Sequence, residues 1–579
     1  MIDALLQRYD SVILCDFEYQ PSEGNLPEPI CMVSLDIKTG EKHRIWADGL
    51  RGMQSPPFSV GPRAVFIAFY TPAEFSCFHA LGWPLPRNCL DLWLEFRNIT
   101  NGLAPPGGTG LLSALMHFGL DALAHDEKES MRQLAMRGGP FTDIEKSNLL
   151  DYCESDVASL QRLLPKIFPY FPLELALVRG EYMKAESEME KIGVPLDTGA
   201  LAEIKTHWER IKEKLVSRID SAYGVFDGQT FKYERFDHYL AKAGIPWPRT
   251  ETGRLQLDED TFREMARSYP DIAPLRELRH ALSQLRLSGL AVGRDGRNRT
   301  SLAPFRARTG RNQPSNTEFI FGPSCWIRAL IRPSPGFALA YIDWSQQEFG
   351  IAAALSKDLK MMEAYSSGDP YMAFAKQAGA VPADATKKTH GAIREQFKAC
   401  VLAVQYGMGA QSLAARINQP PIQARSLLEL HRQTYPIFWR WSDAAVTHAM
   451  LGGEIQTVFG WKLKIADKPN ERSLRNFPMQ ANGAEMLRLA CCLLVEAGIE
   501  ICAPVHDAIL IAGPSGEIES TVKRAKELME RASTIVLAGF KLRSDEKIVK
   551  YPDRYSDERG VKMWESVWQL IAENKREVS

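Results

Sequence analysis

The chain has 579 residues, too many for one hydrophobic core, so two to four domains are expected. Hydrophobic residues make up 45% and charged residues 24%, an ordinary globular balance, and no apolar run approaches the roughly 18–20 residues of a bilayer span. A net charge of −1 announces no bulk polycation, ten scattered cysteines without a C-x-x-C pair speak against a zinc module, and MIDALLQRYD is no signal peptide, so reduced thiols in a cytoplasm are expected.

Taken in chain order, VILCDFEY (12–19) predicts a strand, ICMVSLDI (30–37) a second, and HRIW (43–46) after the turn KTGE a third. AVFIAF (64–69) predicts a further buried strand. Asp16 and Glu18 lie two apart on the first strand, so both face one side of it. LLDYCESDVASLQRLL predicts a helix on which Tyr152 and Asp156 are i, i+4 neighbours. Two strand carboxylates and a helical Tyr-x-x-x-Asp are the donor set for two Mg²⁺ ions and an attacking water, the arrangement that cuts phosphodiesters.

In order and separation these two patterns resemble the first and third motifs of the DEDD family of 3′–5′ exonucleases. The resemblance implies a ribonuclease-H-like α/β fold and a fourth metal-site carboxylate after the strand AVFIAF. The stretch IAFYTPAEFSCF departs from the family's usual second motif, having no Asn and no aromatic residue before its acid. Glu74 is the expected fourth ligand, and Asp91 in CLDLWLEF is its rival.

The proline-punctuated LPKIFPYFPLE, near 165–175, reads as a linker. From 176 to about 290 the pattern is helical and charged, as in EYMKAESEMEKIG and LRELRHALSQLRL. Residues 290–335 then carry eight arginines against Asp295 and Glu318, a local cationic stretch suited to phosphates or to a solvated face.

The second half holds three patterns. FALAYIDWSQQEF (337–349) predicts a buried strand ending in Asp343, with Glu348 close behind. In IREQFKACVLAVQYGMG, Arg394, Lys398, Leu402 and Tyr406 follow one another at i, i+4 steps along one helical face. Cations at one end and an aromatic at the other suit a polyphosphate and a flat base. EICAPVHDAILIAG predicts a hairpin with His506 and Asp507 at its turn. Asp343 and Asp507 at adjacent strand ends would then share two divalent ions.

These stretches resemble motifs A, B and C of the family A DNA polymerases: D-W-S-Q-Q-E, R-x-x-x-K-x-x-x-L-x-x-x-Y-G and V-H-D. DGR (295–297), RTGR (308–311) and RSLRNFPMQANGAE are similar to flanking segments of that family. The resemblance implies an α+β right hand of palm, fingers and thumb behind the exonuclease-like domain. Its boundaries are 1–170 for the exonuclease-like domain, 176–300 for a helical thumb, and 301–579 for palm and fingers, the fingers about 355–450.

It also implies roles. Asp343 and Asp507 hold the polymerase metals, and Asp16, Glu18, Glu74 and Asp156 those of the exonuclease, with Tyr152 orienting water. Each site takes two Mg²⁺ ions, with Mn²⁺ as a substitute. Arg394 and Lys398 hold the triphosphate, Lys398 also donating a proton to pyrophosphate. Leu402 lies at the sugar, Tyr406 at the base pair, and Glu348 fills the place of a ribose 2′-hydroxyl. Arg311, Arg472, Asn476 and Gln480 contact the minor-groove side of primer–template DNA, and His506 supports the primer end. The expected partners are primer–template DNA and dNTPs, with no membrane; the expected state is a monomer in the cytoplasm, the host's if phage-encoded.

Three departures stand out. Leu402 replaces an aromatic, Trp344 replaces Tyr, and Ala508 follows Asp507 where the family continues V-H-D-E. The chain length leaves no room for the 5′-nuclease domain of many bacterial relatives, which suggests a compact phage- or plasmid-type enzyme. A silent exonuclease, a single-subunit RNA polymerase (disfavoured by Glu348) and a catalytically dead DNA-binding descendant are the alternatives.

Overall fold

The computed structural model describes residues 2–121, 125–250, 252–284, 289–322, 324–465 and 470–578. It divides into two compact units that do not follow chain order. The first comprises 1–193, 301–313 and 339–548; the second comprises 194–300, 314–338 and 549–579.

The first unit opens with a mixed five-stranded sheet, β1 (Ser11–Gln20), β2 (Glu28–Asp36), β3 (Lys42–Trp46), β4 (Ala64–Ala68) and β5 (Cys89–Asp91), in the order β3-β2-β1-β4-β5. β1 pairs antiparallel with β2 and parallel with β4. Alternation along β1 sends Val12 and Leu14 into one core, with Leu149, Cys153 and Val157 of the helix Asp143–Ile167. Ile13, Cys15 and Phe17 enter the core on the other face, with Phe75 and Phe78 of the helix Thr71–Leu81. Asp16 and Glu18 continue the first of these alternations, so they face the helix that carries Tyr152 and Asp156.

The stretch near 165–175 is no free linker. The helix Asp143–Ile167 passes through a 3-10 turn, Phe168–Tyr170, into the helix Leu173–Ile192, and Phe168, Phe171 and Ala176 are buried in the same core. Proline-rich sequence here marks a tight helix-to-helix corner pinned by aromatic burial.

The second sheet of this unit has the strands Glu500–Val505, Ala508–Pro514, Phe337–Trp344 and Ser544–Lys550, adjacent in that order. The first two form a hairpin whose tip is His506–Asp507. His506 has φ +59°, an uncommon left-handed backbone for a residue that is not glycine. The long helix Glu471–Glu496 is largely buried, and the helix Ile518–Val536 packs beside it.

In the second unit, helices Thr198–Thr206, Trp208–Asp220, Tyr233–Ala243, Glu259–Ser268 and Ala273–Gln284 dominate residues 194–284. The last covers most of the LRELRHALSQLRL pattern, whose residues 285–287 lie outside the described residues. Phe236, Trp247 and Phe262 centre a small core, with Arg279 between the rings of Phe231 and Phe262. The helix Val561–Val578 also belongs to this unit, which joins 549–579 to 194–300 and 314–338.

Candidate active sites

Around β1, the structure brings together the residues that the sequence nominated. The helix Thr71–Leu81 places Glu74 in its first turn, buried, accepting a hydrogen bond from the Phe17 backbone between Asp16 and Glu18. Burial pushes its carboxyl well up, and the Asp16 and Glu18 charges add to that. Its Oε2 is buried with no hydrogen-bond partner. Tyr152 donates to Asp156, and burial together with the Asp156, Glu18 and Asp16 charges raises its hydroxyl.

Asp91, the rival of Glu74, has a different job. Its carboxylate accepts from the backbone N–H groups of Tyr70 (3.2 Å), Thr71 (2.7 Å) and Leu94 (2.9 Å), and from the Thr71 hydroxyl (2.9 Å). It therefore caps the helix Leu92–Thr100 and also the helix that carries Glu74. With its oxygens so engaged, Asp91 is a bracket for the helix that carries Glu74.

In the second sheet, Asp343 and Asp507 come together across adjacent strands, where the Trp344 N–H faces the Asp507 carbonyl at 3.4 Å. Burial pushes Asp343 up to about 7, with the Asp507 and Asp545 carboxylates adding to it. Asp507 is raised as well, again mainly by burial. Asp343 Oδ1 is buried without a hydrogen-bond partner. Past Trp344 the chain reverses at Gln346, φ +50°, and enters the helix Gln347–Ser356. That reversal explains why Glu348 follows Asp343 so closely: the first helical turn returns it to the strand end, within the field of Asp507. Glu348 is raised by burial and lowered by Arg311, whose Nη2 donates to it at 3.2 Å.

Arg394, Lys398 and Leu402 share the half-exposed face of the helix Gly391–Gln405, and Tyr406 caps its end, 43% exposed. Arg394 is held by Asp369 and Glu395, both at 2.6 Å, and the Tyr371 ring lies beneath Arg394 (5.3 Å) and Lys398 (6.0 Å). Gly407 has φ +62°, and a Cβ there would sit 2.9 Å from the Arg472 side chain, so both the turn and the close approach require glycine. Arg472, Asn476 and Gln480 follow at i, i+4 steps on the less buried face of the helix Glu471–Glu496.

Sequence reading missed several supports. Arg488 donates to the Gly310 carbonyl at 2.6 Å and pairs with Glu485, fixing the loop that carries Arg311. Asn98 and Asn101 bond the backbone of 460–464, and Asn101 also the Arg308 carbonyl. Asp369, Tyr371 and Asp545 were missed too. Their signal lies in partners distant along the chain.

A family model described as DNA polymerase family A matches residues 207–547. The chain belongs to DNA polymerase family A. This family A chain is 27% identical over 395 residues to a DNA polymerase I of Chloroflexus aurantiacus, covering 62% of the chain and 41% of that protein. It is 26% identical over 410 residues to a DNA polymerase of Mycobacterium phage L5, covering 69% and 67%. The chain thus spans about two fifths of the Chloroflexus protein and two thirds of the phage one. In fold it is similar to the solved POL domain of Pol1 from M. smegmatis, in complex with DNA primer-template and dNTP. The TM-score is 0.70 at 18% identity, over 94% of this chain and 96% of that one. The family polymerase fold therefore follows an α/β sheet domain. Among the described residues no helix is long and apolar enough to cross a membrane.

Divalent ions are the group that the fold family implies. Among the described residues no set of three or more His, Cys, Asp or Glu stands as a ready metal cage. The donor chemistry fits all the same. Each site gathers buried or half-buried carboxylates that repel one another, with buried oxygens lacking a hydrogen-bond partner on Glu74 and on Asp343 among them. Such groups are costly unless a cation meets them.

Proposed function

We propose that this chain is a template-directed DNA polymerase that also proofreads with a 3′–5′ exonuclease. The observation that carries the reading is the approach of Asp343 and Asp507 at the ends of adjacent strands, with Arg311–Glu348 beside them. Two Mg²⁺ ions, when bound, would supply a lowered pKa for the primer 3′-hydroxyl and charge neutralisation at the leaving pyrophosphate.

The chain's own groups do the rest. Asp343 and Asp507 fix where positive charge sits. Arg394 and Lys398 present cations to the triphosphate once Asp369 and Glu395 release Arg394. Lys398 lies on the half-exposed helix face and gives a proton to pyrophosphate in this reading. Glu348 occupies space beside the incoming sugar, Leu402 lines that side, and Tyr406 offers a flat apolar surface to the base pair. Arg311, Arg472, Asn476 and Gln480 line the path for the primer–template minor groove, and His506 stands at the primer end.

Asp16, Glu18, Glu74 and Asp156 make the second acidic cluster, where Tyr152 holds the attacking water for hydrolysis from a 3′ end. The likeness to a phage L5 DNA polymerase supports a role in phage replication. The test is primer extension with Mg²⁺ by Asp343→Asn and Asp507→Asn chains. Loss of at least ~10³-fold in extension is expected, and extension within tenfold of wild type would overturn the assignment.

A further inference from the structure

Motif C of this chain ends in Ala508, a buried alanine where the resembled family carries an acid. Another acid reaches Asp343 from the strand on its other side. The Ser345 N–H donates to the Arg543 carbonyl at 2.9 Å, and the Tyr551 N–H to the Phe337 carbonyl at 3.3 Å. Both bonds belong to a single antiparallel register between Phe337–Trp344 and Ser544–Lys550. Two residues inward from the Ser345–Arg543 pair, that register sets Asp343 directly opposite Asp545, on one face of the sheet.

Directly opposed like charges destabilise an antiparallel pair. Asp507 brings a further carboxylate to Asp343 from the strand on the opposite side. The Ser345 hydroxyl donates to Asp545 Oδ2 at 2.5 Å, which orients the carboxylate and leaves Oδ1 for another partner. Asp343 Oδ1 is buried and has no hydrogen-bond partner. Asp545 itself is exposed, so a solvated cation can approach it.

We propose that Asp545, oriented by Ser345, is a third carboxylate for the divalent cation at Asp343 and Asp507, supplied by a neighbouring strand in place of the acid missing after Asp507. The inference rests on the polymerase reading of that cluster.

The experiment titrates Mn²⁺ alone into the full chain, read by the free-ion electron spin resonance signal. Asp16→Ala with Glu18→Ala in the background silences the other cluster. Adding Asp545→Asn should weaken Mn²⁺ binding at least ~10-fold, the scale of losing a ligand or its support. Asp545→Glu should restore most of it. Without cations, Asp545→Asn should melt no lower than its parent, because removing a repulsion costs nothing. The Mg²⁺ concentration for half-maximal primer extension should rise in parallel. Mn²⁺ affinity within twofold of the parent, or a lowered cation-free melting temperature, overturns the inference. If the wild-type chain does not extend primers but Asp545→Asn still weakens Mn²⁺ binding, the proposed function fails and the third carboxylate stands.

Discussion

Arg311 donates from Nη2 to Glu348 Oε1 at 3.2 Å, so the loop 308–311 and the first turn of the helix after Asp343 are tied together. Burial raises the Glu348 carboxyl and the Arg311 guanidinium opposes that rise. Glu348→Ala removes the bulk beside the sugar and releases Arg311. The expected outcome is a ratio of ribonucleotide to deoxynucleotide specificity constants raised at least ~10-fold, on the scale of 1–3 kcal/mol for a pocket contact. An unchanged ratio in steady-state incorporation would mean that the two residues only stabilise the fold.

Glu74 and Asp91 are close along the chain and both buried, yet the structure predicts opposite phenotypes for them. Glu74→Ala should lower single-strand digestion at least ~10²-fold and leave the melting temperature near wild type or above it. Asp91→Ala strands the N–H groups of Tyr70, Thr71 and Leu94 and should cost about 2–4 kcal/mol of stability. Any loss of digestion there should track unfolding. Single-turnover digestion measured beside thermal melts separates the two, and a stable but inactive Asp91→Ala chain would reverse the assignment.

His431 gives a pH signature. It is buried among Phe374, Tyr435, Phe438 and Trp439, and the Trp439 indole N–H donates to its Nδ1 at 3.1 Å. Burial pushes the imidazole from 6.5 down to about 3. The unfolded chain therefore takes up a proton that the folded chain refuses. The stability His431 contributes is complete above the unfolded value and is lost as pH falls from about 6.5 toward 3, by at most about 1.4 kcal/mol per pH unit. His431→Phe should melt lower at pH 8, having lost the Trp439 acceptor, and should lose less between pH 8 and pH 5 than wild type. Parallel melting-temperature curves for the two chains would contradict this.

Much of this was legible in the sequence because it was local. Asp16 and Glu18 share a face because a strand repeats every two residues, and Arg394 to Tyr406 share one because a helix repeats near every four. The hairpin turn at His506–Asp507 was written in two flanking apolar runs. What escaped depended on distant pairing. Asp91 could be separated from Glu74 only once the N–H groups of Tyr70 and Thr71 were placed against it. Asp545 is 200 residues from Ser345 and stands in the sequence as one charge of the run Asp545-Glu546-Lys547. The grouping of 549–579 with 194–300 is likewise a tertiary fact that no local pattern carries.

The proposed function requires two separable acidic sites in one chain, one that adds nucleotides and one that removes them. The most direct measurement follows a 5′-labelled primer with a mismatched 3′ end, on template, with Mg²⁺ and all four dNTPs. Wild type should trim the mismatch and then extend. Asp343→Asn should trim and stop, because its second cluster is intact. Asp16→Ala with Glu18→Ala should leave the mismatch in place yet extend a matched primer at the wild-type rate. Loss of both activities in either variant, or trimming that survives in the purified double mutant, would contradict the two-site account.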